Sequence, residues 1–260
     1  MTRLIDYKRI DQHIGLITLN RPEAANAMSI QLLDELNETV NDINSDESIY
    51  CVVIMGAGDK AFCAGADLKE RKGMSNKQVI DTVRYIGQTV NAVENIKVPV
   101  ISALNGVAFG GGLELALACD FRIAATNTKV GLTETSLAII PGAGGTQRLP
   151  RLIGIGQAKR LIYTAKPVSV EEAYKLGIVE KLVDVRDLYD EAIQTANTIA
   201  SNGPIALRQA KTAINRGTEV DLTTGLEIEH LSYKETIPTN DRLEGLKAFA
   251  EKRKPEYKGK

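Results

Sequence analysis

Short apolar runs alternate with segments of helical period through the first two thirds of the chain. The runs at 14–19, 51–55, 99–104 and 121–125 predict strands, and 51–55 is typical of a strand buried on both faces. Apolar residues recur every three to four positions in two predicted helices, at Leu32, Leu33, Leu36, Val40 and Ile43 and at Val79, Val83, Ile86, Val90 and Val93. This alternation indicates an α/β core.

The last third of the chain has a helical pattern and little strand character. From about Leu188 onward several helices are predicted, without a strongly apolar core of their own. We therefore place a boundary between a core, residues 1–187, and a C-terminal helical region, residues 188–260. Helices of this kind need another surface to pack against, which suggests oligomerisation.

Local signals mark two helix starts in this part of the chain. Ser169 and Glu172 have the spacing of a capping box before a helix at 173–176. Pro204 stands where a helix can begin, because proline is well tolerated in the first turn.

The charge balance excludes a general attraction to polyanions. The 260 residues include 32 basic and 33 acidic side chains, so the net charge is −1. Such a chain has no overall field that favours nucleic acid or an anionic membrane. The most apolar stretch, residues 100–119, contains Asn105, Glu114 and three consecutive glycines, so we expect strand, turn and helix there rather than a membrane span.

Cysteine usage and the N-terminal residues favour the cytoplasm. Cys51, Cys63 and Cys119 lie far apart without a CxxC spacing, which argues against a disulfide framework or a zinc site. No metal site is expected. Residues 1–10 carry four charges and lack the apolar segment of a signal peptide.

Three local motifs carry candidate chemistry. They are Phe-Cys-Ala-Gly-Ala-Asp-Leu at 62–68, Asn-Gly-Val-Ala-Phe-Gly-Gly-Gly-Leu-Glu at 105–114, and Glu134 followed by Pro-Gly-Ala-Gly-Gly-Thr-Gln-Arg at 141–148. A glycine run before a helix frees N–H groups that can bind an anion. Taken singly, each motif is explained as well by a tight turn, a carboxylate that complements the helix dipole, or a surface charge.

Together and in this order, the motifs resemble the crotonase (enoyl-CoA hydratase) superfamily. The resemblance extends from Asn-Arg-Pro at 20–22 to the segments 241–245 and 249–253. Within the superfamily the chain is most similar to enoyl-CoA hydratases and to the 3-methylglutaconyl-CoA hydratases of leucine breakdown. The resemblance implies a spiral of ββα units followed by a helical trimerisation region, assembled as a trimer or as a dimer of trimers.

The resemblance also implies an activity and its residues. The activity is the reversible addition of water across the 2,3 double bond of a 2-enoyl-CoA thioester, without a separate cofactor, since coenzyme A is part of the substrate. The N–H groups of Ala66 and Gly111 would form an oxyanion hole for the thioester oxygen. Glu114 would act as the base towards water and Glu134 as the proton donor.

Coenzyme A contacts are implied in the same way. The segment around Ala24 would meet the adenine end, Lys60 and Lys69 would meet phosphates or the pantetheine arm, and two residues from the C-terminal region could reach a neighbouring subunit's ligand. The full predicted set is Ala24, Lys60, Ala64, Asp67, Lys69, Tyr233 and Lys252. For any single lysine, a solvated surface charge is a serious alternative. His13 and His230 match nothing in the family pattern.

Two other functions compete with hydration. Isomerases of the same fold commonly lack one of the two glutamates, so the presence of both favours a hydratase. RNA binding is a property of one relative, whose corresponding helix is rich in lysine. Here residues 29–44 contain no Lys or Arg and include Asp34 and Glu38, so we expect no specific affinity for AU-rich RNA at physiological salt.

The acyl group of the substrate is left open by the sequence. A straight short-chain enoyl group needs only an apolar pocket, whereas a glutaconyl group adds a distal carboxylate that requires a cation. Arg71 and Lys72 are candidates for that cation because they follow the first motif closely.

Overall fold

A computed structural model describes residues 3–260 as a mixed α/β fold. The strands are β1 Ile5–Ile10, β2 Ile14–Leu19, β3 Cys51–Gly56, β4 Ala61–Cys63, β5 Val100–Leu104, β6 Val107–Phe109, β7 Phe121–Ala125, β8 Lys129–Gly131, β9 Val168–Ser169 and β10 Lys181–Val183. The helices are α1 Ile30–Ser45, α2 Leu68–Arg71, α3 Asn76–Glu94, α4 Gly111–Ala118, α5 Gly145–Ile153, α6 Ile155–Thr164, α7 Val170–Leu176, α8 Leu188–Ala200, α9 Pro204–Gly217, α10 Leu222–Thr236 and α11 Asn240–Glu251. Two 3₁₀ helices cover Pro22–Ala24 and Glu134–Leu137.

Two sheets are built by a repeated ββα connection. The six-stranded sheet has the order β1-β2-β3-β5-β7-β10, and the four-stranded sheet has the order β4-β6-β8-β9. The pairs β3/β4, β5/β6 and β7/β8 each give one strand to each sheet, so every unit advances both sheets by one parallel strand. This is the spiral of ββα units that the resemblance implies, and the predicted fold is confirmed.

The six-stranded sheet is buried on both faces, as the apolar run at 51–55 predicts. Successive residues of β3 point to opposite sides, so Val52 and Ile54 join the core beneath α1 and α3. Cys51 and Val53 join a second core that α8 covers. Because both faces of this strand pack against helices, a continuous apolar run is needed in place of an alternating one.

The predicted helix starts are found where the sequence puts them, with one correction. Pro204 is in the first turn of α9. Ser169 caps α7, since its side chain accepts the N–H of Glu172. The capping box predicted there is only half formed, because the Glu172 carboxylate binds the guanidinium of Arg160, 2.7 Å away, instead of reaching back to the cap.

The apolar stretch 100–119 divides into β5, β6 and α4, as expected for a buried strand, a turn and a helix. Among the helices of residues 3–260, none combines the length and the apolar character that crossing a bilayer requires. Cys51, Cys63 and Cys119 are free and buried, and burial raises the pKa of each thiol to about 12. The cytoplasmic location stays a prediction.

The C-terminal helices continue the core only in part. Helix α8 packs on β2, β3, β5 and β7, whereas α9 and α10 pack chiefly against each other. Helices α9, α10 and α11 leave large apolar side chains exposed, namely Ile214, Leu222, Leu226, Leu231, Tyr233, Leu243, Leu246 and Phe249. Helix α8 thus packs with the core, and the exposed apolar surface begins after it. The boundary between a core and a C-terminal region at residues 187 and 188 stays a prediction.

Candidate active site

Glu114 is a buried carboxylate in the first turn of an apolar helix. All residues of α4 from Gly112 to Ala118 are buried, and Glu114 is only 2% exposed. Its Oε1 accepts the N–H groups of Ala143, at 2.8 Å, and Gly145, at 2.7 Å. A buried charge requires such donors, and the loop before α5 supplies them.

Glu134 lies opposite, at the start of the 3₁₀ helix that follows β8. Its Oε2 is buried and has no hydrogen-bond partner among the described residues. Burial, and then the nearby charge of Glu114, raise the pKa of Glu134 to about 7. Gly110, with φ of +52°, makes room for it, because a Cβ there would lie 3.0 Å from Glu134 Oε1.

The two carboxyl groups therefore have different environments. Burial raises the pKa of Glu114 too, but its two N–H bonds and the charge of Arg148 act in the opposite direction. Hydrogen bonds to an ionised oxygen favour the charged form, whereas an unpartnered buried oxygen favours the neutral form. Near neutral pH, Glu114 is thus suited to accept a proton and Glu134 to hold one.

Two backbone N–H groups face the same space. Gly111 opens α4, where the first N–H groups have no acceptor within the helix. Ala66 forms a β-bridge with Met28, in which the carbonyl of Gly65 accepts the N–H of Met28 and the N–H of Asp67 donates to the carbonyl of Met28. The N–H of Ala66 itself takes no part in the bridge. In the hydrogen bonding of residues 3–260, neither N–H has an acceptor. Both are available for an external oxygen, although their role as an oxyanion hole stays a prediction.

A cavity of about 580 Å³ joins these groups. Ala66, Gly111, Glu114 and Glu134 all line it, which brings the predicted catalytic residues together. The rest of its wall is mostly apolar, with Leu68, Val79, Val83, Ile86, Leu137, Ile139 and Ile140. A largely apolar cavity with a few convergent polar groups is typical of a small-molecule site.

The predicted coenzyme A residues are only partly gathered at this cavity. Ala64 lines it, and its N–H donates to the carbonyl of Ala25, so the segment around Ala24 runs alongside. Lys60 and Lys69 are exposed. Neither lysine lines the cavity, and their roles in binding phosphates or the pantetheine arm stay predictions.

Three other predicted coenzyme A residues have different surroundings. Asp67 is a helix cap, and its carboxylate accepts the N–H groups at the start of α2 and the guanidinium of Arg21 at 2.6 Å. Its side chain is therefore engaged within the protein. Tyr233 lies on α10 and Lys252 directly follows α11, and neither lines the cavity, so a role for them would require another subunit.

Sequence reasoning missed part of this site. Val79 and Val83 are on the cavity wall, although their helical period predicts only a core-facing stripe. The loop at 141–145 is not a plain turn, because it donates two N–H groups to Glu114. The glycines at 142, 144 and 145 are the only sequence signal for this loop. They do not reveal which N–H groups bind Glu114, because every residue except proline has a backbone N–H.

Comparison with known proteins shows similarity to enoyl-CoA hydratases and isomerases. Residues 9–260 match the family model described as enoyl-CoA hydratase/isomerase. The chain is 55% identical to YngF of Bacillus subtilis, described as an enoyl-CoA hydratase/isomerase, over 96% of both chains. It is 47% identical to human mitochondrial methylglutaconyl-CoA hydratase, over 96% of this chain and 75% of that one. A crystal structure of enoyl-CoA hydratase from Bacillus anthracis is 55% identical, with a TM-score of 0.98 over 99% of this chain and 100% of that one.

The raised pKa of Glu134 predicts that Glu134→Gln stabilises the protein at alkaline pH. The folded pKa of about 7 exceeds the ordinary 4.5, so stability falls as pH rises from about 4.5 to 7 and does not recover above that window. Allowing for partial exposure, we expect a gain of roughly 1–2 kcal/mol at pH 8, or about 2–6 °C in Tm. The gain should shrink below pH 5. Thermal unfolding at both pH values checks it, and an equal change at both would contradict the assignment.

Proposed function

The chain belongs to the enoyl-CoA hydratase/isomerase family and is a hydro-lyase of the enoyl-CoA hydratase type, and on that premise we propose that Glu114 and Glu134 are its catalytic residues. The observation that carries the assignment is their shared cavity, where one carboxyl group is held by two N–H groups and the other has a buried oxygen without a partner. The substrate is a 2-enoyl thioester of coenzyme A.

The backbone donors account for the first part of the chemistry. When water adds to the β-carbon, negative charge moves onto the thioester oxygen. The N–H groups of Ala66 and Gly111, both on the cavity wall, would receive that oxygen. Losing one donor of this kind typically costs about 3–4 kcal/mol of transition-state stabilisation.

The two glutamates account for the proton transfers. Glu114 takes a proton from water as the water oxygen bonds to the β-carbon. Glu134 gives its proton to the α-carbon as the charge on the thioester oxygen returns to the carbonyl. One water is consumed and its elements are divided between the two carbons. After turnover the proton on Glu114 must pass back to Glu134, and their positions in one cavity support such an exchange.

Both carboxyl groups are needed for hydration but not for moving a double bond. An isomerase must carry one proton between two carbons, for which a single carboxyl group suffices. The presence of Glu114 and Glu134 on the same cavity therefore supports the hydratase assignment within a family whose name covers both activities.

Replacing either carboxyl group should abolish most hydration without abolishing binding. For Glu114→Gln and Glu134→Gln we expect kcat with crotonyl-CoA to fall about 10²- to 10⁴-fold, because the amide keeps the shape but cannot transfer the proton. Hydration by the wild type should decline above pH 7 as Glu134 ionises. Steady-state kinetics with acyl-CoA binding by calorimetry checks both. Glu171→Gln, at an exposed helix position, is the control, and near-normal turnover in either variant would refute that residue's role.

The surroundings of Arg71 favour a more specific substrate, one whose acyl group carries a distal carboxylate. Arg71 ends α2 and lines the cavity, and its Nε is buried without a hydrogen-bond partner in the described part of the chain. No carboxylate of residues 3–260 lies within ion-pair distance of it. A substrate carboxylate would supply that partner, as in 3-methylglutaconyl-CoA, and human methylglutaconyl-CoA hydratase is 47% identical.

Arg71→Met separates the two acyl groups. We expect kcat/KM for 3-methylglutaconyl-CoA to fall about 10- to 100-fold more than for crotonyl-CoA, because a hydrogen bond to a charged group contributes about 1.5–3 kcal/mol. Lys72→Met is the control, since Lys72 is exposed and does not line the cavity. Equal losses on both substrates would assign Arg71 to tuning the glutamates instead, and the straight-chain substrate would stand.

The exposed apolar side chains of α9–α11 support a trimer or a dimer of trimers. Phe249 is 85% exposed and Leu222 is 78% exposed, on helices that make few contacts with the rest of the chain. Large exposed apolar surfaces commonly mark protein–protein interfaces. Covering this surface with another subunit would also bring Tyr233 and Lys252 close to a neighbouring substrate.

Light scattering should give a mass three or six times the 28.2 kDa of the chain at micromolar concentration. Leu246→Asp should shift the population towards monomer, because it puts a charge on the apolar surface. Lys247→Asp changes the charge at the next position, outside the apolar set, and should leave the mass unchanged. A wild-type monomer at micromolar concentration would contradict the proposal.

A further inference from the structure

Arg148 in α5 binds two other parts of the chain, helix α3 and the loop at 141–145, behind the catalytic cavity. Its Nε donates to Glu94 Oε1 at 2.9 Å, and one terminal nitrogen donates to Asn91 Oδ1 at 2.7 Å. The other terminal nitrogen donates to the carbonyl of Ala143 at 3.0 Å. The side chain is 15% exposed and does not line the catalytic cavity. Arg148 thus ties α3 to the loop at 141–145 without touching the substrate space.

That loop is the part of the protein that holds the Glu114 carboxylate. Ala143 uses its carbonyl for Arg148 and its N–H for Glu114, so both contacts pass through one residue. Gly144 has a φ of +105°, and a Cβ there would overlap the Arg148 guanidinium. The next N–H, from Gly145, is the second donor to Glu114. The Arg148 side chain therefore holds the loop at Ala143, the first of the two donor residues, and lies against Gly144, which separates them.

We propose that Arg148 is a positioning residue for Glu114, which it keeps aligned and ionised through the backbone of the loop at 141–145. The inference rests on the proposed function, in which Glu114 is the base. Without Arg148 the loop loses its anchor on α3, and the two N–H groups are no longer held towards Oε1. A misalignment of about 1 Å in such a contact can cost roughly 100-fold in rate.

Other charged groups also face Glu114 and must be separated from this effect. Glu134 lies across the cavity, Arg71 is on its wall, and Glu94 faces the carboxylate only through Arg148. The charge of Arg148 lowers the pKa of Glu114, against the larger effect of burial. The alternative role of Arg148 is purely structural, as a link between α3 and α5. In that case its loss would lower the stability of the fold but would not change the titration of Glu114.

Three variants with two readouts decide between these roles. In protein labelled with [δ-¹³C]glutamate, the Glu114 resonance is assigned by its loss in Glu114→Gln and titrated by NMR without turnover. We expect Arg148→Met to raise the midpoint by about one pH unit or more, since it removes a nearby charge and an anchor. Arg148→Lys, which keeps the charge, and Glu94→Gln, which weakens the anchor, should give smaller rises. In kinetics with crotonyl-CoA, the acid limb of kcat/KM should move upward with the midpoint. At pH 7 we expect kcat to fall about tenfold or more in Arg148→Met, with KM within about twofold.

Arg151→Lys, three residues further along α5, is the matched control, and its midpoint and kcat should equal those of the wild type. An unchanged Glu114 midpoint in Arg148→Met and Glu94→Gln, or a loss of kcat that is uniform with pH, would overturn the proposal. If the Arg148 variants lose their circular dichroism signal, Glu94→Gln alone decides, and no shift in it counts against the proposal. A wild type that hydrates no enoyl-CoA would refute the proposed function, while the NMR titration would still test the position of Arg148.

Discussion

A carboxylate that is 2% exposed lies at the beginning of an apolar helix, and the surrounding structure is arranged to make that tolerable. An ionised group removed from water requires donors, and Glu114 obtains two of them from a single loop. That loop can supply N–H groups at this spacing only because Gly144 has a left-handed backbone conformation and Arg148 anchors the carbonyl of Ala143. Helix α3 carries the side-chain acceptors for Arg148, so it is linked to the same loop.

The second carboxyl group is treated in the opposite way. Glu134 is buried with one oxygen left without a partner, which destabilises its charged form and raises its pKa to about 7, so the carboxyl group keeps its proton to higher pH than an ordinary glutamate. Two residues of the same type are thus given different surroundings, one with two N–H donors on a single oxygen and one with a buried oxygen that has none. The cost appears in the stability of the fold, because an ionised Glu134 is less stable in the protein than in water.

The sequence predicts the parts of this fold whose periodicity is long enough to be read. Helices α1 and α3 and the apolar strands β2, β3, β5 and β7 are found as predicted, because each buries a stripe or a full run of apolar residues. The four-stranded sheet is missed, since strands of two or three residues such as β4 and β9 have no readable period. At the site, the two glutamates follow from the family resemblance. The loop donors and Arg148 do not, because a backbone N–H has no sequence identity and an arginine gives no sign of its partners.

In the spiral of ββα units, the backbone donors and the apolar wall of the cavity come from different elements. Ala66 follows β4 and Gly111 follows β6, and these strands are neighbours in the four-stranded sheet, so the two N–H groups that face the cavity come from segments that leave paired strands. The apolar wall of the cavity comes instead from α2, α3 and residues 137–140. The backbone N–H groups and the apolar wall can therefore vary independently of each other. Substitutions on the apolar wall can therefore change the shape and charge of the cavity without altering the backbone that carries the two N–H groups.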